Sequence, residues 1–518
     1  MLPESTQNPA LPVLSAADVQ TILKPSSTPI QLDREGDKWS ISPAINMKDK
    51  PSVILPPLTA ENLGDPGFKA VYGTKYAYYA GAMANGISSE GMVIALGEAG
   101  LMGSFGAGGL LPERVEQAIR TIQEKLGRRP YAFNLLNSPN EPSLEQHTVE
   151  LYIKYDIPVV EASAYILPTI NLVRYRLTGL QKRADGTAEI NHRVIAKVSR
   201  KEVAQKFLEP ARPEMVKQLL EEGKITGEQA QLAANIPLAD DITVEADSGG
   251  HTDNRPLVAA LPAIIQLRNQ ICGSHPERPR VRIGAAGGIA TPSSALAAFM
   301  MGAAYITTGS VNQACLESGA SDHTRGLLAQ AEMTDVTMAP ASDMFEMGVK
   351  VQVLKRGTMF AMRAQKLFEL YSRYESLDEI PAAEREKQEK MVFKMSWDEV
   401  WNACVQFFSQ RDPSQIERAE KNPKDKMALV FRWYLGLSSR WSNKGEPGRE
   451  MDYQIWCGPA MGAFNDWVRG TRLAEQANRK VVDVAMEILQ GTAYLWRVKY
   501  LESNGISVPF SQALYYPA

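Results

Sequence analysis

Cysteine is scarce in this chain. Cys272, Cys315, Cys404 and Cys457 are spread through 518 positions with no C-x-x-C pair. That spacing argues against a structural zinc site and against a disulfide framework, and it suits a reducing cytoplasm. Charge of one sign is missing too: 56 Lys and Arg stand against 59 Asp and Glu, a formal net charge of −3. With no basic cluster and no basic stripe interleaved with aromatics, nucleic acid is not an expected partner. No run reaches the roughly 18 apolar residues that a membrane helix needs. The opening Met1-Leu2-Pro3-Glu4-Ser5 has neither a basic n-region nor an apolar h-region. The expectation is therefore a soluble, cytoplasmic protein without membrane contact. Heptads and low-complexity tracts are absent. So is G-x-G-x-x-G, since Gly106-Ala107-Gly108-Gly109 has the glycines without the spacing, and no Rossmann domain is expected.

What is present is a repeated strand-then-helix rhythm from about residue 76. Tyr76–Ala84 reads as a first strand, Leu101–Phe105 as a second, Tyr131–Leu136 as a third and Val159–Ala164 as a fourth. Helices are predicted over Ser88–Ala99, from Pro112 onward, and over Ser143–Lys154. In the second of these, Val115, Ala118, Ile119 and Ile122 recur at helical spacing, and Pro112 sits where its missing N–H costs nothing. Asp185-Gly186, between extended runs, predicts a β-excursion within Val173–His192. Strand five is Arg193–Val198. A helical insertion at about 209–238 follows, with Thr226 and Gln229 forming a capping box, and reads as a lid or a dock for a partner. Strands six, seven and eight are Ile242–Ala246, Val281–Ala285 and Tyr305–Thr308. Eight such units predict an α/β fold, a (β/α)8 TIM barrel over 51–330, after an N-terminal lead-in over 1–50 in which Trp39 docks. Seven of the eight tryptophans lie beyond residue 390. Residues 331–518 are therefore expected to be a helical subdomain with its own core, suited to a homodimer contact. In it, Trp456–Trp467 is either an aromatic packing corner or part of a binding site.

The candidate chemistry lies where the strands end, the face on which barrel active sites are built. Gly249 and Gly250 follow strand six, Gly287 and Gly288 strand seven, and Gly309 and Ser310 strand eight. Strand ends of this kind expose backbone N–H groups to a phosphate. Asp247-Ser248-Gly249-Gly250-His251 adds an imidazole beside that phosphate, and His251 is the candidate proton-transfer residue. Strand one ends in Gly81, Ala82, Met83, Ala84 and Asn85, small residues suited to a flat ring. Strand three carries Asn134 and strand five carries Lys197, a cation in an apolar strand that needs an anionic partner. That partner is either the N1/C2=O edge of a reduced flavin or a carboxylate such as Glu161 or Asp247. A ring platform, a cation and phosphate glycines together describe FMN in a barrel. NADPH would serve as a transient hydride donor. No metal site is expected.

These residues, with Ala285-Ala286-Gly287-Gly288-Ile289 and Thr308-Gly309-Ser310, resemble the nitronate monooxygenase-like flavoprotein superfamily, which includes the FabK-type enoyl reductases. Over nearly the whole chain the likeness is closer to the PfaD family. It is carried by Tyr76–Asn85, Asn137-Ser138-Pro139-Asn140-Glu141-Pro142, Ala162-Ser163-Ala164-Tyr165, Asp343–Val349 and Trp456–Trp467. The resemblance implies FMN, NADPH and an enoyl thioester carried on acyl carrier protein, in polyketide or polyunsaturated fatty acid synthesis. The superfamily's Gln or Glu at the end of strand six is not matched in register; Glu245 is the nearest residue and takes the flavin contact. His251 would protonate the α-carbon, and N–H groups near Gly249-Gly250 would polarise the thioester carbonyl. Two other readings are a nitronate-oxidising flavoenzyme with His251 as base, and a synthase scaffold module without catalysis.

Overall fold

A computed structural model describes residues 16–24, 26–35, 38–42, 52–138 and 141–517. The described part of the N-terminal lead-in is folded. A helix over Ala16–Leu23 precedes strands β1 (Ile30–Glu35), β2 (Lys38–Ser42) and β3 (Ser52–Leu55), which form an antiparallel sheet in the order β2-β1-β3. Trp39, buried as expected, joins Val19, Ile22 and Leu32 against Val498 and Leu501 of the last long helix. Burial of that apolar patch is what orders the segment.

Eight parallel strands close into a barrel. In chain order they are β4 (Tyr78–Ala80), β5 (Met102–Phe105), β6 (Ala132–Leu136), β7 (Val159–Ser163) and, after the hairpin β8 (Leu180–Lys182) and β9 (Ala188–Ile190), β10 (Arg193–Val198). β11 (Asp241–Glu245) is followed by the two-residue β12 (Gly250–His251), which lies outside the barrel. β13 (Arg282–Ala286) and β14 (Ile306–Thr308) complete the circle against β4. The (β/α)8 expectation holds, with three local corrections. The first strand stops at Ala80, because Gly81 N–H donates to Thr308 C=O and Ala82 N–H to the Glu161 carboxylate. The excursion is confined to 180–190, because Thr169 caps a helix over Ile170–Thr178 that buries Leu172, Val173 and Leu177. A helix over Lys201–Leu208, burying Val203, Ala204, Phe207 and Leu208, separates β10 from the insertion.

That last helix decides where the insertion lies. Its helices, Pro213–Glu221 and Gly227–Ala233, come after the outer helix has returned to the start of the barrel strands, and Asp240 N–H donates to Val194 C=O beside the entry of β11. The insertion therefore sits on the N-terminal face, packed against Thr178 through the Gln229 amide. It is no lid over the strand ends.

Beyond residue 330 the chain is not purely helical. β15 (Val336–Pro340) and β16 (Lys350–Leu354) form an antiparallel ladder, and β12 adds to it through Gly250–Gln352 and His251–Val351 pairs. One apolar cluster, with Phe345, Phe360, Phe393, Trp397, Phe431 and Tyr434, fills the helical part between about 339 and 435. Residues 453–489 instead contribute Ile455, Met461, Phe464 and Ile488 to the barrel's own core. Among the described residues no helix is long and apolar enough to cross a membrane.

Candidate functional site

The strand-one loop is rigid before anything binds to it. Met83 N–H donates to Ser88 Oγ, Asn85 N–H to Gly108 C=O and Gly86 N–H to Gly106 C=O. Asn85 takes a left-handed conformation, φ 58°. A Cβ on Gly106 would lie 1.8 Å from the Met83 carbonyl oxygen, so only glycine fits beneath this loop. Ala82, Met83 and Ala84 remain half-buried. They offer an apolar surface rather than donors, as a flat ring requires.

Lys197 does not stand as a free cation beneath that surface. Its Nζ lies 3.2 Å from Glu245 Oε1 and 3.8 Å from Glu161 Oε1. Desolvation alone would lower its pKa, but the two carboxylates more than offset it, and the pKa is raised. The carboxylate alternative is what the structure shows, with Glu245 in the place expected for Asp247. Glu161 is fully buried and ties the layers together, because its Oε2 accepts from Ala82 N–H at 2.8 Å. Asn134 is likewise committed: its Nδ2 donates to Glu161 C=O at 3.1 Å and Ser163 Oγ at 3.0 Å. It staples β6 to β7.

The glycines divide into two kinds. Gly249 and Gly287 are close-approach positions. A Cβ on Gly249 would come within 2.7 Å of the Cys457 backbone nitrogen, and one on Gly287 within 2.7 Å of the Ala246 carbonyl carbon. Gly250, at φ 80°, turns the chain into β12. The Gly249-Gly250 backbone thus packs on the Trp456–Gly458 segment, which does not favour the expected polarising role. It also makes that aromatic segment a packing corner. Gly288, at φ 73°, and Gly309 face open space within 4 Å of where a Cβ would stand. They are the cradle that side chains would fill, and they suit the FMN phosphate. Ser310 Oγ already accepts from Gly458 N–H at 3.1 Å. Glu161 Oε1 and Thr307 Oγ1 are buried without a hydrogen-bond partner among the described residues. Orphaned polar atoms beside a half-buried apolar platform fit an expected ring with polar edges.

His251 stands on β12, half-exposed, with Nε2 3.2 Å from Asp343 Oδ1. Partial burial pulls its pKa down, but the hydrogen bond and charge of Asp343, with Glu245 further off, raise it above the ordinary histidine value. Asp343 is correspondingly held below the usual carboxylate range. Sequence reasoning quoted Asp343 within a motif and gave it no role. It also missed Gln352, whose Nε2 donates to Asp247 Oδ1 and Ser248 C=O, both at 2.8 Å, and so fixes the loop that carries His251. Of the quoted motif at 137–142, Pro139 and Asn140 lie outside the described residues; Glu141 receives a bidentate bond from Arg411 at 2.8 and 2.7 Å.

Comparison with known proteins matches residues 67–391 to the family described as nitronate monooxygenase, and residues 374–453 to the inserted helical domain of [acyl-carrier-protein] S-malonyltransferase. The chain is 46% identical over 499 residues to a polyunsaturated fatty acid synthase subunit of Thraustochytrium sp., covering 95% of this chain and 33% of that protein. It is 46% identical over 439 residues to polyketide biosynthesis protein PksE of Bacillus subtilis, covering 85% of this chain and 57% of that protein. The chain thus spans between a third and just over half of these relatives. The crystal structure of the enoyl reductase domain of MlnA, from the macrolactin biosynthesis cluster of Bacillus amyloliquefaciens, superposes with a TM-score of 0.82 at 40% identity, over 86% of this chain and 100% of that one. FabK from Thermotoga maritima, at 17% identity and a TM-score of 0.50 over 85% and 98% of the two chains, shares the fold.

Proposed function

The chain belongs to the nitronate monooxygenase family, and from that premise we propose that it is an enoyl reductase, acting in trans on enoyl thioesters borne by acyl carrier protein in polyketide or polyunsaturated fatty acid synthesis. Two similarities support the carrier-bound substrate: 40% identity along the whole enoyl reductase domain of MlnA, and a helical region like that of an acyl-carrier-protein transferase. The chemistry that FMN supplies when bound is hydride transfer, taken from NADPH and given to the β-carbon. The residues of this chain do the rest. Gly288 and Gly309 would hold the phosphate through their backbone, and Ala82, Met83 and Ala84 would support the ring. The Glu161–Lys197–Glu245 cluster keeps that platform in place.

One observation supports the acid role. Asp343 occupies Nε2 of His251 and raises its pKa above the ordinary histidine value, which stabilises the imidazolium form and leaves Nδ1 as the nitrogen that would give the proton. A proton so placed serves an acid at the α-carbon. The test is anaerobic: protein loaded with FMN and reduced with NADPH is mixed with a crotonyl thioester or with a nitroalkane while the flavin absorbance is followed. Rapid reoxidation by the thioester alone is expected. Reoxidation by neither, with turnover appearing only with O2 and nitronate, would overturn the proposal.

A further inference from the structure

At the mouth of the barrel, one cation has no counter-charge among the described residues. Arg440 follows Ser439 on the helix Pro423–Lys444, and Ser439 Oγ accepts from Asn85 Nδ2 at 3.2 Å. That contact seats the helix beside the strand-one loop, and Arg440 is its next residue, turned toward Phe407. Its guanidinium lies 5.9 Å from the centre of the Phe407 ring, and that of Arg411 lies 5.4 Å from the same ring. Arg411 is neutralised by its bidentate pairing with Glu141. Arg440 has no hydrogen-bonding or ionic partner among the described residues, and it is half-buried. Burial and the neighbouring Arg411 both lower its pKa, the response of a cation whose surroundings lack an anion. Two guanidiniums flank one half-exposed aromatic ring, and only that of Arg411 is paired with a carboxylate.

The geometry points to a phosphate subsite at Arg440 and Arg411, filled by the phosphodiester that joins the substrate's pantetheine arm to its carrier. This deepens the proposed function and rests on it. A planar guanidinium presents paired N–H donors that match two phosphate oxygens, and Arg411, already oriented by Glu141, narrows where those oxygens sit. Phe407 limits the water that would otherwise solvate the ion. The nicotinamide cofactor also carries phosphates, so the test has to separate the two sources.

Two probes differ only in the group of interest: crotonyl-4′-phosphopantetheine and crotonyl-pantetheine. The wild-type protein is expected to favour the phosphorylated thioester in kcat/KM by on the order of tenfold, the scale of one charge-assisted hydrogen bond. Arg440→Gln should abolish that ratio, and Arg440→Lys should keep most of it. An unchanged ratio in Arg440→Gln would overturn the subsite. If the ratio of NADPH to NADH collapses in that variant instead, the phosphate is the cofactor's and the substrate assignment is wrong. Calorimetric titration with 4′-phosphopantetheine and with pantetheine needs no turnover. A phosphate-dependent affinity lost in Arg440→Gln would support the subsite even if neither thioester were reduced, an outcome that would sink the enoyl reductase reading alone.

Discussion

Replacing Lys197 with Met tests the electrostatics beneath the ring platform. The ammonium stands 3.2 Å from Glu245 and 3.8 Å from Glu161. At an effective dielectric constant of about 20, these separations correspond to attractions of about 5 and about 4 kcal/mol. Desolvation of the lysine consumes much of that, and removing one partner of a buried pair costs about 3–5 kcal/mol in practice. The side chain keeps 21% of its exposure and Glu245 the same, whereas Glu161 keeps 1%. Water can therefore rescue Glu245 but not Glu161, and the low end, about 3 kcal/mol, is the expected loss. Protonation sets a ceiling on the loss. A glutamate with an unfolded pKa of about 4.3 can be neutralised for about 1.4 kcal/mol per pH unit above that value, or about 1.6 kcal/mol near pH 5.5. In the variant the orphaned carboxyl binds its proton more tightly folded than unfolded. Stability therefore falls as pH rises away from the unfolded value. Urea denaturation followed by far-ultraviolet circular dichroism should show Lys197→Met losing about 3 kcal/mol near pH 8 and about half that near pH 5.5. Adding Glu161→Gln should remove most of the pH dependence, since the amide oxygen still accepts from Ala82 N–H. A loss that is equal at the two pH values, or below about 0.5 kcal/mol at both, would refute the idea that Lys197 serves chiefly as the buried partner of Glu161.

Other outcomes follow from the same geometry. His251→Ala should bind FMN normally and lose reductive turnover by about two orders of magnitude, the usual scale of general acid catalysis; full turnover would remove the acid assignment. Because Asp343 raises the His251 pKa, activity should persist below that raised value and fall as pH rises through it. Asp343→Asn should move this basic limb to lower pH in a profile of kcat/KM, and an unmoved limb would dissociate the pair from catalysis. Gly288→Leu and Gly309→Leu should give folded, flavin-free protein, whereas Gly249→Leu should lower stability through collision with Cys457; yellow protein from the first two would count against the phosphate cradle.

The barrel was legible because each strand is a short apolar run closed by a local turn signal, and such signals survive without knowledge of distant partners. The capping box at Thr226 and Gln229 is of the same kind, and it forms as expected. What escaped was non-local or masked. The helix over Lys201–Leu208 carries its apolar residues at 203, 204, 207 and 208, a pattern only two turns long and easily passed over. Without it, the insertion could be read as a lid over the strand ends. The pairing of His251 with Val351 joins residues a hundred positions apart, and nothing local to either strand foretells it. Lys197 shows a further limit: composition can say that a buried cation needs an anion, but only the register of neighbouring strands chooses between Glu161, Glu245 and a cofactor.

The two faces of the barrel differ in how their polar groups are paired, and that contrast supports the proposed site at the strand ends. On the N-terminal face, Asp241 is held bidentately by Arg282 at 2.7 and 2.6 Å and accepts from Tyr72 at 2.5 Å. Asp240 is shared by Arg176 and Arg193, at 2.6 and 3.0 Å, and accepts from Val194 N–H. These paired groups tie the entry ends of neighbouring strands together. The insertion and the hairpin are grafted onto that side. On the C-terminal face, Glu161 Oε1 and Thr307 Oγ1 lack hydrogen-bond partners, His251 is half-exposed with one nitrogen directed away from Asp343, and Arg440 has no counter-ion among the described residues. Each of these is a cost to the folded protein taken alone. Their meeting where the strands end, under a roof supplied by distant parts of the chain, suits a bound ligand.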